Sequence, residues 1–224
     1  MEIIEAIKTR KSIRGFLLDP VEKSIIKKII DIAVRAPSAM NTQPWEFFVI
    51  TGNVLDEIRK GVVEKLNSGA PMKPDHLVVA WPRESVYRNR QVDLAKQLFT
   101  LMDIPREDKA KRAWWLERGF RFFDAPIAVV VVADKMLGES APVFDLGAVT
   151  QTLCLAALDF GLGTCIEDQG VLYPEVLREL AGIPDSKRIM IAVALGYPDP
   201  DFPANRVESL RMPADEITTW VGFE

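Results

Sequence analysis

Hydrophobic periodicity predicts helices along much of the chain. Apolar residues recur at helical spacing over residues 2–9. A second helix is predicted to begin at Asp19, a suitable N-cap because Pro20 follows it and Glu22 stands three residues after it. Its apolar stripe comprises Val21, Ile25, Ile26, Ile29, Ile30 and Ala33. Further helices are predicted over 54–66, 84–103 and 143–160, from Pro105 to Leu116, and from Pro174.

Three segments rich in aromatic or β-branched residues are predicted as strands, over 45–51, 127–133 and 188–195. The last two show no polar alternation, which is typical of strands covered on both faces. Residues 163–173 are expected to form a loop, and residues 218–221 a short edge strand. Helices and strands of unequal length indicate a mixed α and β class.

Length and composition favour a single domain over residues 1–224. With 224 residues and 48% hydrophobic content, the chain can fill one core. Residues 67–120 are interpreted as a helical excursion from that core that covers a site. Its tryptophans, Trp81, Trp114 and Trp115, are expected mainly to pack the excursion onto the body, with a substrate pocket as the alternative.

The overall charge argues against polyanionic partners. A net charge of −4 gives no general attraction to nucleic acid or to anionic membranes. No apolar run is long enough to span a bilayer, no signal peptide is apparent, and the cysteines lack CxxC spacing, so a cytoplasmic location is expected. With one histidine, a structural zinc site is not expected.

A basic cluster follows the first predicted helix. In an extended chain Arg10, Ser12 and Arg14 would project to one side, with Lys11 beside them. Arginine forks and a hydroxyl suit a phosphate dianion. The alternative is a set of solvated charges at a helix end, and this segment alone leaves both interpretations open.

No side-chain set for catalysis is evident. Gly161–Ile166 departs from a dinucleotide fingerprint because its sixth position is Ile and it follows a helix. Cys165 lacks a nearby base and is interpreted as a packed thiol. Glu167 and Asp168 are interpreted as solvated loop residues. If the protein is an enzyme, its chemistry is expected to belong to a cofactor.

Four motifs together resemble the FMN-dependent nitroreductase family. They are Arg10–Arg14, Pro37–Trp45, Gly161–Cys165, and Ser209–Pro213 with Trp220, in the family's order over nearly the whole chain. The resemblance implies an α+β fold with a mixed central sheet flanked by helices, and an intertwined homodimer with FMN in each interfacial groove. It also implies a ping-pong reaction in which NADH or NADPH reduces FMN, and a nitroaromatic or quinone reoxidises it.

The resemblance also assigns residues to the cofactor. Those implied at the FMN phosphate, ribityl chain and ring edge are Arg10, Lys11, Ser12, Arg14 and Arg211. Those implied to come from the second subunit or to flank the ring are Pro37, Ser38, Ala39, Asn41 and Gln43. The 165–170 loop, with Asp168, Gln169 and Gly170, would lie along the isoalloxazine. Within the excursion, Tyr87 and Arg88 are candidate substrate contacts.

Two departures from the family pattern leave details open. The sequence of residues 166–170 differs from the commonest family motif for this loop, so the residue that contacts flavin N5 is not assigned. Ser209 stands where some members carry a second basic residue, leaving Arg206 as a substitute. Alternatives are a same-fold flavoenzyme for dehalogenation, metabolite dehydrogenation or oxygen-dependent flavin breakdown, a non-catalytic flavin-binding sensor, or an unrelated anion-binding module.

Overall fold

A computed structural model describes residues 2–76 and 81–223. Its α-helices are α1 (Ile3–Thr9), α2 (Lys23–Ala33), α3 (Gly52–Asn67), α4 (Val86–Leu101), α5 (Lys109–Phe120), α6 (Val143–Asp159), α7 (Pro174–Ala181) and α8 (Ala214–Ile217). Its strands are β1 (Glu46–Thr51), β2 (Ile127–Asp134), β3 (Gly163–Glu167) and β4 (Lys187–Gly196). No helix within the described residues is long and apolar enough to cross a membrane.

The four strands form one sheet in the order β1-β2-β4-β3. All three pairings between them are antiparallel. The central strand β2 is buried over residues 127–133, as predicted from its continuous apolar run. A register shift between Val131 and Val132 marks a bulge in its pairing with β4.

Each face of the sheet carries its own hydrophobic core. Successive side chains of β2 point to opposite faces, so Val130 enters one core and Val129 the other. The first core is closed by α3 and α7, and the second by α2 and α6. Helices therefore flank a central sheet, and the α+β class expected from the sequence is confirmed.

Two helices begin later than predicted. Helix α2 starts at Lys23, with Glu22 at the N-cap position, so Asp19 is not its cap. The chain before it is held outside the helix because Leu17 N–H donates to Tyr197 O. Helix α5 starts at Lys109 instead of near Pro105, and the Asp108 carboxylate accepts from the N–H of Lys111.

One prediction outside the helices was wrong. The expected loop 163–173 begins with the edge strand β3, whose five residues pair with β4 in spite of the flanking glycines. Residues 218–221 join no strand within the part of the chain that the structure describes, so their role as an edge strand stays a prediction. Those residues are exposed instead, and α8 precedes them.

Helices α4 and α5 make up most of the segment predicted to be an excursion. Leu98 packs there with Ala204 and Val207, and the half-buried Trp115 joins this small cluster. Trp115 thus has the packing role that was expected of it. Trp81 and Trp114 remain 47% and 41% exposed, so they contribute less to packing. Residues 77–80 of the excursion lie outside the described residues.

Candidate functional site

The basic cluster lies on an extended segment beside the edge of the sheet. Arg10 is the C-cap residue of α1, and beyond it Ser12 forms a parallel bridge with Thr164 of β3. Ile13 N–H donates to Thr164 O at 2.9 Å, and the Ile13 side chain is buried. Gly163 has no room for a Cβ, which would lie 2.5 Å from Ile13 Cγ1. Of the basic cluster, Arg10 alone stands at a helix end, where the sequence allowed solvated charges as the alternative to a phosphate site.

Asn205 holds the end of this segment. Its Oδ1 accepts from the N–H groups of Arg14 and Gly15 at 2.7 and 3.1 Å. Its Nδ2 donates to the carbonyls of Gly15 and Asp199 at 2.8 and 2.9 Å. Asn205 is buried, and no sequence motif pointed to it.

One end of the segment faces a cavity of about 890 Å³ with excess positive charge, which we call the basic cavity. Its lining includes the cationic residues Lys8, Arg10, Lys11 and Arg211, with Glu208 as its one carboxylate. Arg211 Nη1 donates to Ser209 O and Ser209 Oγ at 2.9 and 2.8 Å. The structure therefore brings together Arg10, Lys11 and Arg211, which lie far apart in sequence.

The other end faces a smaller cavity of about 250 Å³, the strand-end cavity. It is lined by Arg14, Leu98, Trp115, Leu116, Phe123, Cys165, Ile166, Glu167, Asp168 and Gln169. The Arg14 guanidinium carbon lies 5.9 Å from the Phe123 ring centroid. Arg10 and Arg14 thus line different cavities, and Lys11 shares the cavity of Arg10. The single anion-binding face expected of Arg10, Ser12 and Arg14 in an extended chain is therefore not formed around one cavity.

Glu167 is buried, so its interpretation as a solvated loop residue was wrong. It is the last residue of β3 and stands opposite Ala192 of β4. Its Oε2 accepts from Gly170 N–H at 2.8 Å, while its Oε1 has no hydrogen-bond partner within the described residues. The pKa of Glu167 is raised from 4.5 to about 8, mainly by burial and also by the nearby Asp168, while the backbone N–H groups of Gly170 and Gln169 oppose the shift.

The turn after Glu167 is tightly packed. Gly170 is buried, and a Cβ there would lie 2.3 Å from Phe122 Cε1. Gln169 Nε2 donates to Leu116 O at 3.3 Å, which ties the turn to α5. Asp168 and Gln169 are half-buried and line the strand-end cavity, as the resemblance implied for a ring contact.

Cys165 is a packed thiol, as interpreted from the sequence. It is buried and forms no disulfide. Burial raises its pKa to about 11, so the thiol keeps its proton at neutral pH. The described residues contain no cluster of His, Cys, Asp and Glu suited to a metal ion. The cavity therefore offers neither a thiolate nucleophile nor a metal centre among those residues.

A strained turn forms one wall of the strand-end cavity. Phe122, Phe123 and Asp124 have φ values of 56°, 52° and 58°. Such left-handed backbone costs about 1–2 kcal/mol for each residue other than glycine. Arg118 stabilises the turn, since its Nη2 donates to Phe123 O at 3.2 Å and its Nη1 lies 2.9 Å from an Asp124 carboxylate oxygen.

Arg118 also reaches the basic segment. Its Nη2 donates to Arg14 O at 2.9 Å, so one part-buried guanidinium links both walls of the strand-end cavity. Burial lowers the pKa of Arg118, and Asp124 opposes that shift. Sequence reasoning missed Arg118 because its link to Arg14 spans 104 residues of sequence.

The 37–43 loop lies against α6 and lines neither cavity of its own chain. Ala39 N–H donates to the Asp145 carboxylate at 3.1 Å, and Gln43 N–H donates to Ser38 Oγ at 3.0 Å. Pro37, Asn41 and the rest of the loop are mostly exposed. Their implied cofactor role stays a prediction that requires a second subunit.

The predicted substrate contacts also lie outside the strand-end cavity of this chain. Tyr87 is exposed and packs on Trp81, with 5.5 Å between ring centroids. Arg88 lines another cavity, beside Phe99 and Arg112, and donates to Gln91. Their role in substrate binding stays a prediction.

The fold and the two cavities define an α+β protein in which one extended segment runs from a cationic cavity to one with aromatic and apolar walls. The family model described as the Nitroreductase family matches residues 7–197. The chain belongs to the nitroreductase family, and the resemblance found in the sequence is confirmed.

Individual relatives match over nearly the whole chain. A nitrobenzene nitroreductase of Ectopseudomonas oleovorans is 34% identical over 98% of this chain and 96% of its own length. A 4-nitrobenzoate reductase of Pseudomonas putida is 32% identical over 97% of this chain and 95% of its own. The crystal structure of the FMN- and NADPH-dependent nitroreductase NfnB from Sphigopyxis sp. strain HMH is 27% identical, with a TM-score of 0.94 and full coverage of both chains.

Replacing Asn205 with Ala should destabilise the protein by about 2–3 kcal/mol, because buried backbone groups of Arg14 and Gly15 lose their partners. Denaturant unfolding of the apo-protein measures the change. Asn89→Ala is the control, since Asn89 is an exposed residue of α4. Equal unfolding free energies for the two variants would contradict the role assigned to Asn205.

Proposed function

We propose that the protein is an FMN-dependent oxidoreductase that passes electrons from NADH or NADPH to an electron-poor acceptor such as a nitroaromatic or quinone. The observation that carries this proposal is the position of the two cavities at opposite ends of residues 10–14. An extended segment of this length spans about 13 Å. It suits a ligand with a phosphate at one end and a flat ring at the other.

The residues of the basic cavity fit a phosphate. Arg10, Lys11 and Arg211 form no ion pair with any described residue, whereas many other basic residues of the protein do. Unpaired guanidinium groups offer charge-assisted hydrogen bonds in a geometry that matches phosphate oxygens. Ser12 lies in sequence between the residues that line the two cavities, and we assign it to the ribityl chain.

The strand-end cavity fits a flavin ring. Phe123, Trp115 and Leu98 supply aromatic and apolar walls, and Arg14 supplies a positive charge at the edge. FMN, when bound, supplies the hydride and electron transfer chemistry. The protein's own residues hold the ring, exclude water from it and stabilise negative charge with Arg14. This division of labour agrees with the absence of an evident catalytic side-chain set.

The relatives favour a nitroaromatic acceptor. Two are named for nitrobenzene and 4-nitrobenzoate reduction, and NfnB is described as FMN- and NADPH-dependent. We place Tyr87 and Arg88 near the acceptor and the 67–120 excursion over the site. A cytoplasmic location is part of the proposal and is supported by two buried cysteines without a disulfide.

The purified protein should bind FMN and show a flavin absorption spectrum. Anaerobic NADH or NADPH should bleach that spectrum, and a nitroaromatic or quinone should restore it, which stopped-flow absorbance measures for each half-reaction. A protein that binds no FMN would contradict the proposal. A flavoprotein that neither nicotinamide reduces would favour a sensor or a different electron donor.

Replacing Arg10 with Ala should weaken FMN binding about 10- to 100-fold, because a hydrogen bond between charged groups contributes about 1.5–3 kcal/mol. Quenching of flavin fluorescence measures the dissociation constant. Arg106→Ala is the matched control, since Arg106 is an exposed arginine that lines neither the basic nor the strand-end cavity. If both variants bind FMN like the parent protein, the phosphate is not at Arg10.

We also propose that two copies form an intertwined homodimer. Helix α1 leaves Ile3, Ile4 and Ile7 exposed at 67%, 61% and 53%. The C-terminal residues Ile217, Trp220, Val221 and Phe223 are also largely exposed. Exposed apolar surface of this kind is typical of an interface. Among the described residues strand β1 pairs with β2 alone, which leaves a free edge for an extended partner segment.

A protein carrying both Ile4→Glu and Ile7→Glu should dissociate into monomers, because the charges would have to be buried at the interface. Sedimentation velocity measures the oligomeric state. Val54→Glu is the control at an exposed position of α3. A monomeric parent protein, or a double variant that dimerises as tightly as the parent, would contradict the homodimer.

A further inference from the structure

Glu167 is an acidic residue in the strand-end cavity that the proposed reaction does not use. It is 6% exposed, and its Oε1 has no hydrogen-bond partner among the described residues. Its Oε2 accepts from Gly170 N–H at 2.8 Å, and the nearby Gln169 N–H also favours the charged form. The carboxyl group is therefore desolvated, and one of its two oxygens is unsatisfied.

The charged groups around Glu167 do not neutralise it. Arg14 and Asp168 line the same cavity, Cys165 on β3 keeps its proton, and the facing residue of β4 is Ala192. On α5, Arg118 pairs with Asp124, and Arg121 pairs with Glu117 and Asp124. No ion pair of Glu167 is present within residues 2–76 and 81–223.

The two protonation states of Glu167 differ greatly in the free energy that their burial costs. An unpaired buried carboxylate loses its hydration without a compensating cation, which costs several kcal/mol. A buried neutral acid with an unpaired hydroxyl loses much less. The neutral acid can still accept the Gly170 N–H through its carbonyl oxygen. Geometry alone therefore favours the protonated form.

We propose that Glu167 keeps its proton at neutral pH and, as a neutral acid, acts as the positioning residue that holds the 167–170 turn against the strand-end cavity. The Gly170 N–H bond closes this turn, and Phe122 leaves no space for Gly170 to shift toward it. Asp168 and Gln169, within the turn, line the cavity. Loss of the proton places an unpaired charge in this packed turn and alters the surface offered to a ring.

The pKa of Glu167, raised from 4.5 to about 8 by burial, agrees with this assignment. The folded state binds the proton more tightly than the unfolded chain does. The free energy of unfolding contributed by this group is therefore fully present below the unfolded pKa and is lost as the pH rises through about 8. Glu167→Gln, which cannot ionise, lacks this loss.

The first test rests on the proposed function because it measures FMN binding. Between pH 7 and 9 the dissociation constant of the parent protein should rise by up to about tenfold, because binding then requires one proton that is lost with a pKa of about 8. Glu167→Gln should bind FMN like the parent at pH 7 and show no such rise. Glu179→Gln, at an exposed position of α7, should retain the parent profile. A parent profile without a rise, or the same rise in Glu167→Gln, overturns the proposal.

The second test uses the apo-protein, so it stands if FMN does not bind and the proposed function fails. Infrared spectroscopy of the parent at pH 7 should show a protonated carboxyl band that disappears as the pH rises above 8 and is missing from Glu167→Gln. The melting temperature of the parent should fall relative to that of Glu167→Gln over the same range. If Glu167→Gln does not fold, the pH dependence of the carboxyl band in the parent protein is the test by itself. Absence of the band from the parent at pH 7 overturns the proposal.

Discussion

The pairing of residues 12–15 with the end of the sheet is the constraint on which the rest of the site depends. Buried backbone groups must find partners, and here Thr164 and Asn205 provide them. Arg10 precedes this paired stretch and Arg14 lies within it, and the two side chains line different cavities. The two cavities therefore keep a fixed separation, because each is built partly from one rigid stretch of backbone.

The contacts of Arg118 are the second set of interactions on which the site depends. A left-handed run of three residues other than glycine persists only where its surroundings compensate for the strain. Arg118 supplies bonds to Phe123 and Asp124 and simultaneously to the carbonyl of Arg14. The guanidinium of Arg118, on α5, therefore connects the strained turn at the cavity wall to the backbone of the basic segment.

The sequence predicted the elements whose signal is local. Continuous apolar runs identified β2 and β4, and helical periodicity identified α3, α4 and α6 with small errors at their ends. Strand β3 was missed because five residues between glycines resemble a loop until β4 pairs with them. Asn205 and Arg118 were missed because their contacts with Arg14 and Gly15 span long sequence separations, which no local pattern records. Glu167 was assigned to a solvated loop because its burial depends on the pairing of β3 with β4.

The distribution of ion pairs separates two uses of arginine in an acidic protein. Arg118, Arg121 and Arg178 are part-buried and paired with carboxylates, so their charges are compensated within the fold. Arg10 and Arg14 have no such partner among the described residues. Two charges about 4 Å apart attract by roughly 4 kcal/mol at an effective dielectric of 20. A dianion in the basic cavity therefore gains locally from the uncompensated Arg10, while the net charge of −4 still repels a long polyanion.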